Sequence, residues 1–94
     1  MHRDSIGSAQ AIMPGDVNWM TAGRGITHSE RTTEARRSKP HVAHGLQTWV
    51  ALPQEFEQIE PEFHHYQSSV LPEFQIDDVT LKLVAGKAFG PSSL

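Results

Sequence analysis

Residues 14–30 read Pro14-Gly15-Asp16-Val17-Asn18-Trp19-Met20-Thr21-Ala22-Gly23-Arg24-Gly25-Ile26-Thr27-His28-Ser29-Glu30. Pro14-Gly15-Asp16 is a turn: proline sets φ for the first turn position and glycine takes a positive φ in the next. From Val17 to Thr21 the chain reads as a strand, with Val17, Trp19 and Thr21 on one face and Asn18 and Met20 on the other. Ala22-Gly23-Arg24-Gly25 is a flexible loop, and residues 26–30 read as a second short strand. Side chains two apart on a strand share a face, so His28 and Glu30 project together and Ser29 points away. An imidazole and a carboxylate on one face make half of an N/O metal site, suited to Fe(II), Mn, Ni, Cu or Zn. They do not complete one, because a mononuclear site takes three or four protein ligands.

Competing chemistries for this stretch fail on geometry. Ser29 diverges from His28 on a strand, so the two cannot form the hydrogen bond of a hydrolytic triad. Gly23-Arg24-Gly25 lacks the third glycine, the lysine and the following helix of a phosphate-binding loop.

Outward from this stretch, proline and glycine cut the chain into short segments. Asp4-Ser5-Ile6-Gly7 reads as a turn and residues 9–13 as a short strand. Residues 31–44 are polar and aperiodic. They include Arg36-Arg37-Ser38-Lys39-Pro40, which in a chain of net charge -3 reads as a solvated loop rather than a nucleic-acid patch. Residues 45–52, Gly45-Leu46-Gln47-Thr48-Trp49-Val50-Ala51-Leu52, are apolar on both faces and predict the longest and most buried strand. Pro53 ends it. Residues 54–60 are acidic and suit one helical turn; residues 63–66 are ambiguous. Residues 68–71 and 79–85 predict further strands, and Gly86 and Gly90-Pro91 punctuate the end. Trp19, Trp49 and Met20 read as core. Many short strands with no long helix predict an all-β sandwich or barrel, a jelly-roll barrel among them.

Composition narrows the classes. Hydrophobic residues make up 37% of 94 residues, below the usual globular share, which hints at an incomplete core. With no cysteine, disulfides, thiolate metal sites and cysteine nucleophiles are excluded. The first residues hold no apolar signal stretch and no run reaches the length of a membrane span, so the expected setting is cytoplasmic, with no membrane and no direct nucleic-acid partner. Six histidines are many for this length. His2, His41, His44, His64 and His65 nevertheless read as solvated or incidental.

Residues 14–30 closely resemble the second metal-binding motif of the pirin family. His2-Arg3-Asp4-Ser5-Ile6-Gly7 is similar to the turn that precedes that motif, and Gly45 through Pro53 to the strand that follows. The resemblance is close over residues 2–53 and looser as far as Gly90. It implies a bicupin, two β-barrels packed together with iron in the N-terminal one, held by three histidines and one glutamate. Two of those histidines belong to a His-x-His motif on an earlier strand; the other ligands map onto His28 and Glu30. No His-x-His occurs in this sequence. The expectation is therefore a partial N-terminal cupin domain over residues 1–94, an incomplete barrel, with residues 54–94 running toward the second barrel and two further histidine ligands lying upstream. The resemblance implies Fe(II) as the metal, although N/O ligands accept other divalent ions. It also implies one of two activities. In a quercetin-type dioxygenase acting on a small aromatic substrate such as a flavonol, His28 and Glu30 hold the metal and Glu30 also serves as catalytic base. In an iron-dependent regulatory module, the metal tunes a surface for a protein partner. An inactive fragment is the third reading.

Overall fold

The computed structural model describes residues 1–88, 90, 92 and 93, and of Ala35 the backbone alone. Pro91, read above as a turn residue, lies outside them. The described chain is nearly all β, with three small sheets, none of which closes on itself. Its strands are β1 (His2–Asp4), β2 (Ala9–Gln10), β3 (Val17–Thr21), β4 (His28–Glu30), β5 (Glu62–Tyr66), β6 (Glu73–Ile76) and β7 (Val79–Lys82). One four-residue helix, α1 (Glu34–Arg37), lies inside the segment read as an aperiodic loop; it is too short to leave a period in the sequence. The strands β3 and β5 form a two-stranded sheet. The chain divides into two compact units, Met1–Ala11 with Met20–Phe63, and Ile12–Trp19 with His64–Leu94.

The first unit is built on an antiparallel sheet of order β2-β1-β4. His2 faces Gln10 and Arg3 faces Ala9 across one ladder; His2 faces Glu30, Arg3 faces Ser29 and Asp4 faces His28 across the other. Reciprocal bonds between Met1 and Arg31 extend the second ladder by one pair, the N-terminal amine to the Arg31 carbonyl at 2.7 Å and the Arg31 amide to the Met1 carbonyl at 3.0 Å. Residues 4–8 turn the chain from β1 into β2. Asp4 Oδ1 accepts the amides of Ile6 at 3.1 Å and Ser8 at 2.9 Å, the local side-chain-to-backbone bonding for which aspartate is favoured in turns. Further on, Gly23 sits at φ +54 with its α-carbon against the Ile59 carbonyl, so that any side chain there would collide with backbone. The Arg24 amide donates to that same carbonyl at 2.9 Å, and its guanidinium pairs with Glu60 at 2.6 Å.

The second unit centres on Asp16. Its carboxylate accepts the amides of Met13 at 3.1 Å and Ser68 at 2.8 Å, and Oδ2 lies 3.2 Å from Nε2 of His65. Asn18 Oδ1 holds the other nitrogen of that ring at 2.7 Å. Lys82 donates to the Gly15 carbonyl at 3.0 Å and to Ser68 Oγ at 2.5 Å. The strands β6 and β7 form a hairpin in which Ile76 faces Val79 across a two-residue turn, with Asp77 at φ +54.

Several expectations are corrected. Residues 45–52 form no strand; Leu46 is 94% exposed and Trp49 88%. A strand exists only through its ladder, and no described segment pairs with this one. Trp19 is likewise exposed rather than core, and Met20 is half-buried. Residues 68–71 are not a strand: Ser68–Val70 is a single 3-10 turn, and the Ser68 amide is taken by Asp16. The strands β1 and β6 were not expected. As read, residues 54–60 open with a helical turn, Gln54–Phe56, and β5 settles the ambiguity over residues 63–66 in favour of strand. Counted by whole residue, Leu71 is the buried hydrophobic residue and His2 the buried polar one among those described.

Candidate functional site

The geometry of β4 follows from its period. His28 and Glu30 are exposed and Ser29 between them is half-buried, the alternation expected of a short strand at a sheet edge. Because β1 is in register with β4, residues facing each other across the ladder share a face. His2 and Asp4 therefore join Glu30 and His28, and four polar side chains occupy one face of two short strands.

Their contacts are specific. His2 Nδ1 lies 2.8 Å from Glu30 Oε1, and His2 Nε2 lies 2.8 Å from Asp4 Oδ2. The His2 ring is stacked on Phe63, with centroids 4.0 Å apart and planes 5° from parallel. The His28 ring is stacked with the His2 ring as well, with centroids 5.7 Å apart and planes at 20°. His2 is 2% exposed and the Asp4 side chain is fully covered, whereas Glu30 is about half exposed at 53%. One oxygen of the Glu30 carboxylate is thus anchored while the side chain still reaches solvent.

Both nitrogens of His2 face carboxylate oxygens, and donation at both requires the imidazolium form. The electrostatics agree. Burial, the largest influence, pushes the His2 pKa down; the hydrogen bonds it donates to Asp4 and Glu30 and their charges outweigh it and leave the pKa raised. For Asp4, burial pushes up, but the bond to His2 and those from Ser8 and Ile6 bring the carboxyl below its ordinary value. Asp16 in the second unit is also lowered, chiefly by the Ser68 and Met13 amides, with burial opposing and His65 adding to the effect.

As donors, an imidazole and a carboxylate fit a divalent ion by chemistry, and they stand on one face as their spacing predicts. In number they fall short. Among the described residues no group of three or more histidine, aspartate or glutamate side chains is arranged to hold a metal. His2 does not fill the gap, since both of its nitrogens are engaged. A shallow depression beside the cluster is lined by Arg3, Asp4, Ser5, Thr27, His28 and Ser29. His41 lies in the polar loop near Thr32, and His65 belongs to the Asp16 cluster. Sequence reasoning set His2 aside as incidental and gave Asp4 only a place in a turn. The available signal was the repeated spacing, His2-x-Asp4 and His28-x-Glu30, but it acquires meaning only once β1 is known to pair with β4.

Comparison with known proteins bears on this arrangement. A family profile described as Pirin matches residues 1–50. A "Pirin-like protein" of Caulobacter vibrioides is 52% identical over 93 residues, covering 98% of this chain and 32% of the relative. A Pseudomonas aeruginosa protein named "Putative quercetin 2,3-dioxygenase" is 46% identical over 90 residues, 96% of this chain and 27% of its own. "Pirin" of Homo sapiens is 39% identical over 92 residues, 98% of this chain and 30% of its own. The chain spans about a third of the length of these relatives. No helix among the described residues is long and apolar enough to cross a membrane.

Proposed function

Since the chain belongs to the pirin family, a cupin family, we propose that it carries one half of a mononuclear metal centre with His28 and Glu30 as its ligands. The observation that supports this most directly is the shared face of β4 and β1, where Glu30 is held at one carboxylate oxygen and remains open at the other side. Fe(II) is the proposed ion, and the donor set accepts other divalent metals. The remaining donors would come from polypeptide outside the described residues.

The whole-protein activity proposed is that of a quercetin-type dioxygenase, in line with the printed name of the Pseudomonas aeruginosa relative. The bound metal would supply Lewis acidity and a meeting point for a flavonol and O₂. His28 and Glu30 would hold that ion through an imidazole nitrogen and a carboxylate oxygen. Glu30 would also accept a proton from a substrate hydroxyl, a role in keeping with its partial exposure. The substrate class is a small aromatic bearing adjacent oxygen donors.

Titration of the 94-residue chain with Co(II), followed by NMR, tests the ligand assignment. Weak binding that perturbs His28 and Glu30, and is lost in His28→Ala and Glu30→Ala, is the expected result. Stoichiometric, tightly held metal in the monomer would overturn the half-site reading, and perturbation elsewhere would overturn the ligands. Loss of the flavonol's visible absorbance on incubation with a protein that combines this segment with the remaining donors tests the activity.

A further inference from the structure

We propose that His2 is a positioning residue for Glu30, itself fixed by Asp4 and by the ring of Phe63. The inference rests on the reading of Glu30 as a metal ligand and extends it to residues that ligate nothing themselves. A glutamate on a short edge strand has freely rotating χ angles and loses side-chain entropy whenever it is held in one orientation. Here Oε1 is held 2.8 Å from His2 Nδ1, so much of that ordering is complete before any ion arrives.

The restraint is effective because His2 is itself held by its other contacts. Its second nitrogen lies 2.8 Å from Asp4 Oδ2, its ring lies flat on Phe63 at 4.0 Å, and it is 2% exposed. Asp4 is fixed in turn: its other oxygen accepts two backbone amides of the turn that leads into β2. The sequence of restraints runs from the backbone of residues 6 and 8, through Asp4 and His2, to the Glu30 carboxylate. Each link is within ordinary hydrogen-bond distance. Hydrogen bonds of this kind to ligating carboxylates orient them toward the ion, and their loss typically lowers affinity about 10- to 100-fold. Engagement of both His2 nitrogens also separates it from His28, whose exposed ring is available to an ion.

The test uses the full 94-residue chain, Co(II) as probe, and two variants. In His2→Phe the stacked ring and the buried volume are retained and both ring donors are lost. Asp4→Asn changes a residue that touches His2 but not Glu30. Two quantities are read by NMR: Co(II) affinity, and the three-bond couplings of the Glu30 side chain without metal. Wild type should show one dominant Glu30 rotamer. Both variants should show rotamer averaging and about 10-fold weaker Co(II) binding, with the cross-strand contacts of β1 and β4 intact. A fixed Glu30 rotamer and unchanged affinity in folded His2→Phe would overturn the proposal while leaving the ligand assignment standing. Absence of Co(II) effects at His28 and Glu30 in wild type would overturn the ligand assignment instead, and with it the link to a metal. Should His2→Phe lose the β1–β4 pairing, Asp4→Asn gives the same two readouts.

Discussion

Asp16 organises the second unit through two backbone amides and one imidazole, and its effect on stability has a definite pH sign. Its carboxyl is held below the ordinary aspartate value by the Ser68 and Met13 amides first of all. A group whose folded pKa is depressed contributes stability that is fully present above the unfolded value of about 4 and is lost as pH falls through the lower folded value. Asp16→Asn should therefore reduce hydrogen-exchange protection of the Ser68 amide near neutral pH, and the difference from wild type should shrink as pH drops below about 4. A difference that persists undiminished in acid would contradict this. Gly23 is a second decisive residue. At φ +54 and with the Ile59 carbonyl where a side chain would be, Gly23→Ala should cost about 1–3 kcal/mol of local stability, read as lost protection of the Arg24 amide. Gly45, with no positive φ and open space around it, should accept alanine with little change.

At the scale of elements, the β6–β7 hairpin and the segment at residues 45–52 make opposite cases. The hairpin turn places Asp77 at φ +54 as the first of two central residues, a position where two-residue turns favour glycine and tolerate aspartate. Asp77→Gly should strengthen the cross-strand contacts of Phe74 with Leu81 and of Ile76 with Val79, and Asp77→Val, a β-branched residue forced to positive φ, should weaken them; cross-strand NMR contacts measure both. Little in the residues forewarns of β6, because Glu73-Phe74-Gln75-Ile76 is short and half polar, although its alternation is regular once seen. Residues 45–52 carried the stronger strand signal and form no ladder. Periodicity reports which faces a strand would bury, not whether a partner backbone is within reach. With Trp19 replaced by phenylalanine, the remaining Trp49 should show the emission of a hydrated indole and be freely quenched by acrylamide, as its 88% exposure requires. A blue-shifted, protected Trp49 would show that this segment is packed.

For the molecule as a whole, the small extent of burial dominates. Leu71 is the buried hydrophobic residue among those described, while Val42, Leu46 and Trp49 stand almost fully in solvent. Apolar burial is the main term that offsets chain entropy, so the 94-residue chain should unfold over a broad, weakly cooperative range and bind ANS, while its far-UV circular dichroism lacks a dominant helical signature. A sharp calorimetric transition would refute this. The contrast between the two levels of information is physical. A period of two and the turn chemistry of proline, glycine and aspartate are local, and they were enough to place β3, β4 and β7, the all-β class, and His28 and Glu30 on one face. Residues 14–30 also carried the family resemblance without any knowledge of packing. The pairing of β1 with β4 is set by contacts across nearly thirty positions of chain, and no local rule contains it. Only that pairing brought His2 beside Glu30 and showed that an apparently incidental histidine is a buried residue between two carboxylates. The fate of residues 45–52 was decided the same way, because a strand's hydrogen bonds belong to its neighbour as much as to itself.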